Sequence, residues 1–165
     1  MNAAVAARGP LESAVRAALA LVPDPELPMV SVVDLGLIGE VSATSERIRV
    51  ELLPTFVGCH AIEAMRTAIA DRLAGLAPLV EVEVSFREPW TSDRITPEGR
   101  RRLRKSGVAP PLPGGGRLVT LTATVRCPYC GSGRTALESA FGPTLCRAIR
   151  HCAECRQPFE AFKAV

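Results

Sequence analysis

Cys127-Pro128-Tyr129-Cys130 and Cys152-Ala153-Glu154-Cys155 decide how this chain is read, because two Cys-x-x-Cys pairs separated by 21 residues can close a tetrahedral thiolate cage. Each pair can form a tight knuckle, with Gly131 supplying the turn behind the first and Pro128 fixing φ inside it. The intervening residues can run as short strands, and Pro158-Phe159-Glu160-Ala161-Phe162 offers an aromatic strand to pack on them. Residues 118–165 make a unit of only 48 residues, which seldom stabilises itself by burial alone. Structural zinc is worth roughly 10–16 kcal/mol in small finger peptides, enough to decide whether such a unit folds. The spacing predicts a zinc ribbon with Cys127, Cys130, Cys152 and Cys155 as ligands. Two disulfides or a redox dithiol are the alternatives. Cys146 and His151 lie close to the second knuckle, and either could replace a thiolate.

The rest of the chain is long and apolar enough, at 165 residues and 47% hydrophobic, to build one further core beside the ribbon. No run approaches 18 apolar residues, and Met1 to Arg8 lacks the order of a signal peptide. A cytoplasmic protein with no membrane partner is expected, and in that setting six cysteines read as metal ligands and functional thiols. Charge is unevenly spread. Residues 1–93 hold 7 Lys/Arg against 13 Asp/Glu, whereas residues 94–106 hold 6 (Arg94, Arg100, Arg101, Arg102, Arg104, Lys105) against Glu98 alone.

Pro10 opens a helix whose apolar positions Leu11, Ala14, Val15, Ala18, Leu19 and Val22 follow the 3.6 period, with Pro23 as its stop. Asp24-Pro25-Glu26-Leu27-Pro28 is a stiff loop carrying two carboxylates. Strands are predicted over 37–43 and 47–53, joined by a hairpin through Thr44-Ser45-Glu46. A helix follows with a stripe of Ile62, Met65, Ile69, Leu73 and Leu76, and a third strand over 79–86 alternates Val80, Val82, Val84 and Phe86 against Glu81, Glu83 and Ser85. The order helix-strand-strand-helix-strand describes an α/β (α+β) two-layer sandwich, followed by the β-rich ribbon. The expected domains are 1–93, a basic helix and Pro/Gly linker over 94–117, and the ribbon over 118–165, with the linker letting the ribbon reorient. The ribbon's first strand is expected over 118–125.

In the N-terminal half Cys59 stands out, a thiol behind Gly58 at the start of a helix, where backbone N–H groups and the helix dipole favour the thiolate. It reads as a soft-metal ligand or nucleophile; a buried cysteine capping the sheet is the plainer alternative. Asp24, Glu26 and Asp34 lie on loops adjoining the same sheet and could converge on it, although such acids are commonly turn formers. His60 is a weak partner, because adjacent helical residues point in different directions. Trp90 reads as core or as a partner-facing anchor. The arginines of 100–104 lack interleaved aromatics, so a solvated or protein-docking helix is expected there and no nucleic-acid partner.

Asp24-Pro25-Glu26, Asp34-Leu35-Gly36, Pro54-Thr55-Phe56-Val57-Gly58-Cys59, Pro89-Trp90, both cysteine pairs and Phe141-Gly142-Pro143-Thr144-Leu145-Cys146 together resemble the PaaD family of phenylacetate-degradation proteins. The N-terminal half is similar to the wider iron-sulfur assembly family that includes SufT; where that motif often places proline after the cysteine, His60 stands here. The resemblance implies an accessory or maturation factor of the phenylacetyl-CoA epoxidase, with that complex's subunits as partners. It further implies a transient iron or iron-sulfur cluster at Cys59, within a motif that includes Thr55 and Gly58. One thiolate does not retain a cluster, so a second protomer, a client or carboxylates such as Glu26 would complete the ligand set. The chain lacks paired Glu-x-x-His ligands and a nicotinamide or flavin fingerprint, which argues against an oxygenase or reductase component. A nucleic-acid-binding or purely structural zinc-ribbon protein is the alternative.

Overall fold

The computed structural model describes residues 9–56, 58–112 and 124–163. Helix α1 (Pro10–Leu19) begins with proline at its first turn and buries Val15 and Leu19. It stops earlier than Pro23 requires, because Leu21 N–H bonds to Ala18 O and Val22 N–H to Leu19 O, three-residue closures that tighten and end the helix. The loop that follows is closed by its own first acid: Asp24 Oδ1 accepts from Glu26 N and Leu27 N, both at 2.8 Å. This is the side-chain turn that aspartate before proline tends to form.

Strands β1 (Ile38–Ala43) and β2 (Arg47–Leu52) form the expected antiparallel hairpin, closed at Thr44, whose Oγ1 accepts from Arg47 N at 3.1 Å. Helix α2 (Ile62–Leu73) crosses back to β3 (Leu79–Val84), which pairs parallel to β2 in the order β1-β2-β3. Alternation decides the layers. Ile48, Val50 and Leu52 are buried under the helices beside Met65, Ile69 and Leu73, while Arg49 meets Glu81 on the opposite, wetted face at 3.4 Å. The two-layer α/β sandwich is therefore as the periodicities imply. The strand ends at Val84, however, and Phe86, expected inward, is 56% exposed; Ser85 is buried in its place, with its N–H on Leu52 O at 2.9 Å.

A 3-10 turn at Ser92–Arg94 leads to α3 (Pro97–Lys105), capped by Thr96, whose hydroxyl accepts from Gly99 N at 3.0 Å. Gly36, at φ +66, is obligatory, since a β-carbon there would meet the Arg94 backbone. Beyond α3, Val108–Ala109 form β4, which pairs parallel with β7 (Pro158–Phe162). Strands β5 (Thr135–Ser139) and β6 (Arg147–Cys152) complete a second sheet of order β4-β7-β6-β5. The sequence expectation of a reorienting linker is corrected here. Its first residue, Ala109, is a strand residue buried in the ribbon's small core, and residues 113–116 lie outside the described ones, as does most of the strand expected over 118–125.

The two halves share apolar packing. Phe162 of β7 and Val108 of β4 are buried in the core of the N-terminal sandwich, and the Phe162 ring lies 5.8 Å from that of Trp90 at a tilt of 44°. Trp90 is thus a core residue, with its indole N–H on Leu35 O at 2.9 Å. The tilted pair adds about 0.5–1.5 kcal/mol to the area term. Phe162→Ala is expected to cost about 3–5 kcal/mol. The urea midpoint followed through Trp90 fluorescence should fall by that cost divided by the m-value of the transition; a midpoint unchanged from wild type would show that the ribbon does not brace the sandwich.

Candidate metal centre and thiol-lined cavity

The four ribbon cysteines meet as their spacing requires. Cys127 Sγ lies 3.6 Å from Cys155 Sγ, Cys130 Sγ lies 3.6 Å from Cys152 Sγ, and all four sulfurs fall within 4.8 Å of one another. A tetrahedral ion with M–S bonds of about 2.3 Å sets its sulfurs about 3.8 Å apart, so the donor set fits such an ion. The two knuckles are built alike: Gly131 N–H bonds to Cys127 O and Arg156 N–H to Cys152 O, both at 2.9 Å. Both turn residues are left-handed, Gly131 at φ +75 and Arg156 at φ 59, so the second knuckle holds a non-glycine residue where the first has glycine. The Cys155 and Glu154 N–H groups lower the Cys152 thiol to about 7. Against the Gln157 N–H, burial and the neighbouring sulfurs push Cys155 up to about 12, so an entering cation would displace protons from the four thiols unevenly.

Neither suggested substitute belongs to this cage. His151 sits within β6, its backbone paired between Ala136 and Pro158, and is not one of the clustered ligands. Cys146 immediately precedes β6, at the end of the strand opposite Cys152, and it packs against the N-terminal core.

There it meets the second constellation. A cavity of about 250 Å³ between the sandwich and the 141–146 loop is lined by Asp24, Glu26, Thr55, Cys59, His60 and Cys146. Phe141, 79% exposed, and Leu145, 50% exposed, stand at its wall. Cys59 lies three residues ahead of α2, with its N–H on Phe56 O and its carbonyl accepting from Ile62 N. Gly58 before it takes φ +83, a turn that favours glycine. The expected convergence of Asp24 and Glu26 on Cys59 is found; that of Asp34 is not. The Asp34 carboxylate accepts from Ser31 N at 3.0 Å and from Arg102 at 3.2 Å, tying the 31–36 loop to α3.

The electrostatics of Cys59 correct the expected thiolate. Burial raises its pKa, the Ala61 and Ile62 N–H groups at the helix start lower it, and the carboxylates of Asp24 and Glu26 raise it again. The net direction is upward, so the helix terminus loses to desolvation and like charge. Burial likewise raises Cys146, against the hydrogen bond from Thr144, and burial raises Asp24 against its two backbone donors. Two residues passed over in the sequence, Thr144 and Arg147, hold the cavity wall. Arg147, buried, donates from Nε to Thr144 Oγ1 at 2.8 Å, pairs with Glu160 at 2.5 Å and reaches Glu26 at 3.8 Å. Alternation along β6 gives no sign of such a buried cation; the Phe141 to Cys146 stretch was the available signal.

Among solved structures, the chain is similar to a domain of unknown function, DUF59, from Bacillus anthracis, at 26% identity over 56% of this chain and 91% of that one, with a TM-score of 0.49. A conserved hypothetical protein from Thermotoga maritima is 28% identical over 56% of this chain and 92% of its own, with a TM-score of 0.48. Residues 12–86 match the family described as iron-sulfur cluster assembly protein, and residues 114–163 match the PaaD zinc beta ribbon domain. In class, the chain is an iron-sulfur-assembly-type domain carrying a PaaD-type ribbon. Over 151 residues it is 39% identical to an Escherichia coli (strain K12) protein named as a component of 1,2-phenylacetyl-CoA epoxidase, spanning 90% of each chain, and it belongs to that PaaD family.

Two outcomes follow from the geometry. Native mass spectrometry should find one metal ion per chain in wild type, Cys146→Ala and His151→Ala, and none in Cys127→Ser; loss of the ion from Cys146→Ala would overturn the assignment of the cage. Because the folded Cys59 thiol titrates above its ordinary 9.0, it stays protonated at neutral pH. Its alkylation should therefore be slow at pH 7 and accelerate only through a midpoint above 9.0; a midpoint below that value would restore the helix-dipole thiolate.

Proposed function

We propose that the chain is an accessory or maturation factor of the phenylacetyl-CoA epoxidase, handling iron or an iron-sulfur centre through Cys59 in aerobic phenylacetate breakdown. The observation that carries this reading is the cavity, in which a thiol sits beside two carboxylates next to an iron-sulfur-assembly motif. Among the described residues only the ribbon cysteines bring three or more ligand atoms within 4.8 Å, so the cavity has no comparably closed cage. A closed tetrahedral cage retains its ion, whereas an incomplete donor set releases it, as handing on requires. In this reading the ribbon cage holds zinc as a structural ion. Cys59 takes the cargo as a thiolate after losing its proton to water, and Asp24 and Glu26 lend it negative charge. The ligands still missing come from the client protein or a second copy of the chain.

Phe141 and Leu145 at the cavity wall fit contact with a protein client, since exposed apolar side chains around a reactive site mark docking surfaces. The nucleic-acid alternative loses support from α3: Arg100 donates to the Ser92 and Ile95 carbonyls, and Arg102 is paired with Glu98 and Asp34. No helix among the described residues is long and apolar enough to cross a membrane, and a cytoplasmic setting suits this reading.

In cells lacking their own copy, Cys59→Ala should fold, keep its ribbon ion and accumulate normally, yet fail to support ring epoxidation. Full epoxidation with that variant at normal protein level would rule out metal handling by Cys59. Metal and sulfide analysis of the anaerobically purified protein would separate the cargoes, with acid-labile sulfide pointing to a cluster and iron alone to the ion.

A further inference from the structure

Cys59 and Cys146 belong to different sequence segments and different family domains, yet they line one cavity and both pack against the sandwich core. Each feels the Asp24 charge, and Cys146 feels that of Cys59. Burial opposes a thiolate at Cys146, but two neighbours, Thr144 and Arg147, favour one. Arg147 Nε can only donate, so at 2.8 Å the Thr144 hydroxyl is its acceptor; the hydroxyl keeps its own proton, which it can donate to a thiolate at Cys146 Sγ, 3.2 Å away. Behind that hydroxyl stands the Arg147 guanidinium, anchored on Glu160. A thiolate formed at Cys146 would therefore find a donor and a cation waiting.

We propose that Cys59 and Cys146 together form a two-thiolate site for one divalent transition-metal ion, with the carboxylates of Asp24 and Glu26 as its oxygen donors. The ribbon then serves the metal-handling site directly, by delivering the second sulfur. This deepens the metal-handling reading and rests on it, Fe²⁺ being the ion in question. Sulfur and carboxylate donors together suit ions of intermediate softness, and an Fe²⁺ ion that accepts more ligands than these four keeps positions open for a client's. Loading breaks two S–H bonds and forms two metal–sulfur bonds; both protons go to solvent, and the ion keeps its oxidation state, so no oxidant or reductant takes part.

The test uses the full chain with its ribbon loaded with zinc, titrated anaerobically with Co²⁺. Thiolate-to-cobalt charge-transfer absorption reports sulfur ligation. Wild type should bind one Co²⁺ per chain while retaining its zinc, and Cys59→Ala, Cys146→Ala and Cys146→Ser should each lose about half of the band. Loss of an outer-shell partner alone costs about 10–100-fold in affinity, so loss of a ligand should weaken Co²⁺ binding at least about tenfold. Zinc content and circular dichroism establish that the variants are folded. X-ray absorption at the cobalt edge of the wild type needs no variant, and should count two sulfurs. A single sulfur, a wild-type band in Cys146→Ser, or no uptake of Co²⁺ beyond the ribbon would each overturn the proposal. If Cys59→Ala abolishes epoxidation in cells while Cys146→Ser supports it fully and keeps the wild-type band, the two-thiolate site is wrong and handling by Cys59 stands. If Cys59→Ala supports epoxidation, the functional reading itself fails.

Discussion

The burial of Phe162 against Trp90 is the contact on which the rest of the arrangement depends, since it seats the ribbon's last strand in the core of the sandwich. Fully burying a phenylalanine is worth about 1.5–3 kcal/mol, a large share of the stability of a small unit whose own core holds few buried residues. The parallel pairing of β4 with β7 adds backbone hydrogen bonds to the same seam. With β7 fixed, its antiparallel partner β6 is fixed too, register by register from Arg147 opposite Phe162 to His151 opposite Pro158. Strand β6 thus becomes a strut of six residues, about 20 Å long, with a cage cysteine at one end and the cavity cysteine just beyond the other.

That strut joins two thiol environments of opposite character. At the Cys152 end, four sulfurs lie within 4.8 Å of one another, and backbone N–H groups lower the Cys152 thiol to about 7 while, against the Gln157 N–H, burial and the neighbouring sulfurs push Cys155 up to about 12. At the Cys146 end, burial holds both thiols protonated and the neighbouring carboxylates keep them so. A cation entering the cavity reverses every one of those penalties at once, because the negative charge that opposes ionisation of the thiols attracts the ion that replaces their protons. The cage is built to keep a metal. In the proposed reading, the cavity accepts an ion and lets it go.

Much of this was legible in the chain because the relevant physics is local. Alternation along 47–52 and the 3.6 period over 62–73 gave the sandwich its layers, and each Cys-x-x-Cys knuckle closes within five residues through its own backbone bonds. The errors come from long-range or competing effects. Spacing alone places Cys146 near the second knuckle, but the direction of β6 carries it to the far end of the sheet. Asp34 looked like a neighbour of Cys59 until the docking of α3 claimed it through Arg102. At Cys59 the helix terminus was visible in sequence, but the depth of burial and the approach of Asp24 and Glu26 were not, and these decide the sign of the shift. A Pro/Gly-rich stretch reads as a free linker when its first residues have a sheet edge waiting for them.

Cys59 and Cys146 line one cavity, and chemical cross-linking reads that placement without any metal. The zinc-loaded full chain would be treated with a short bifunctional thiol reagent, digested, and its linked peptides read by mass spectrometry, with a sample in denaturant as the control. The folded protein should give a Cys59–Cys146 link that disappears on unfolding, with the metal-bound cage cysteines unmodified. Both thiols reacting singly and never with each other would contradict it.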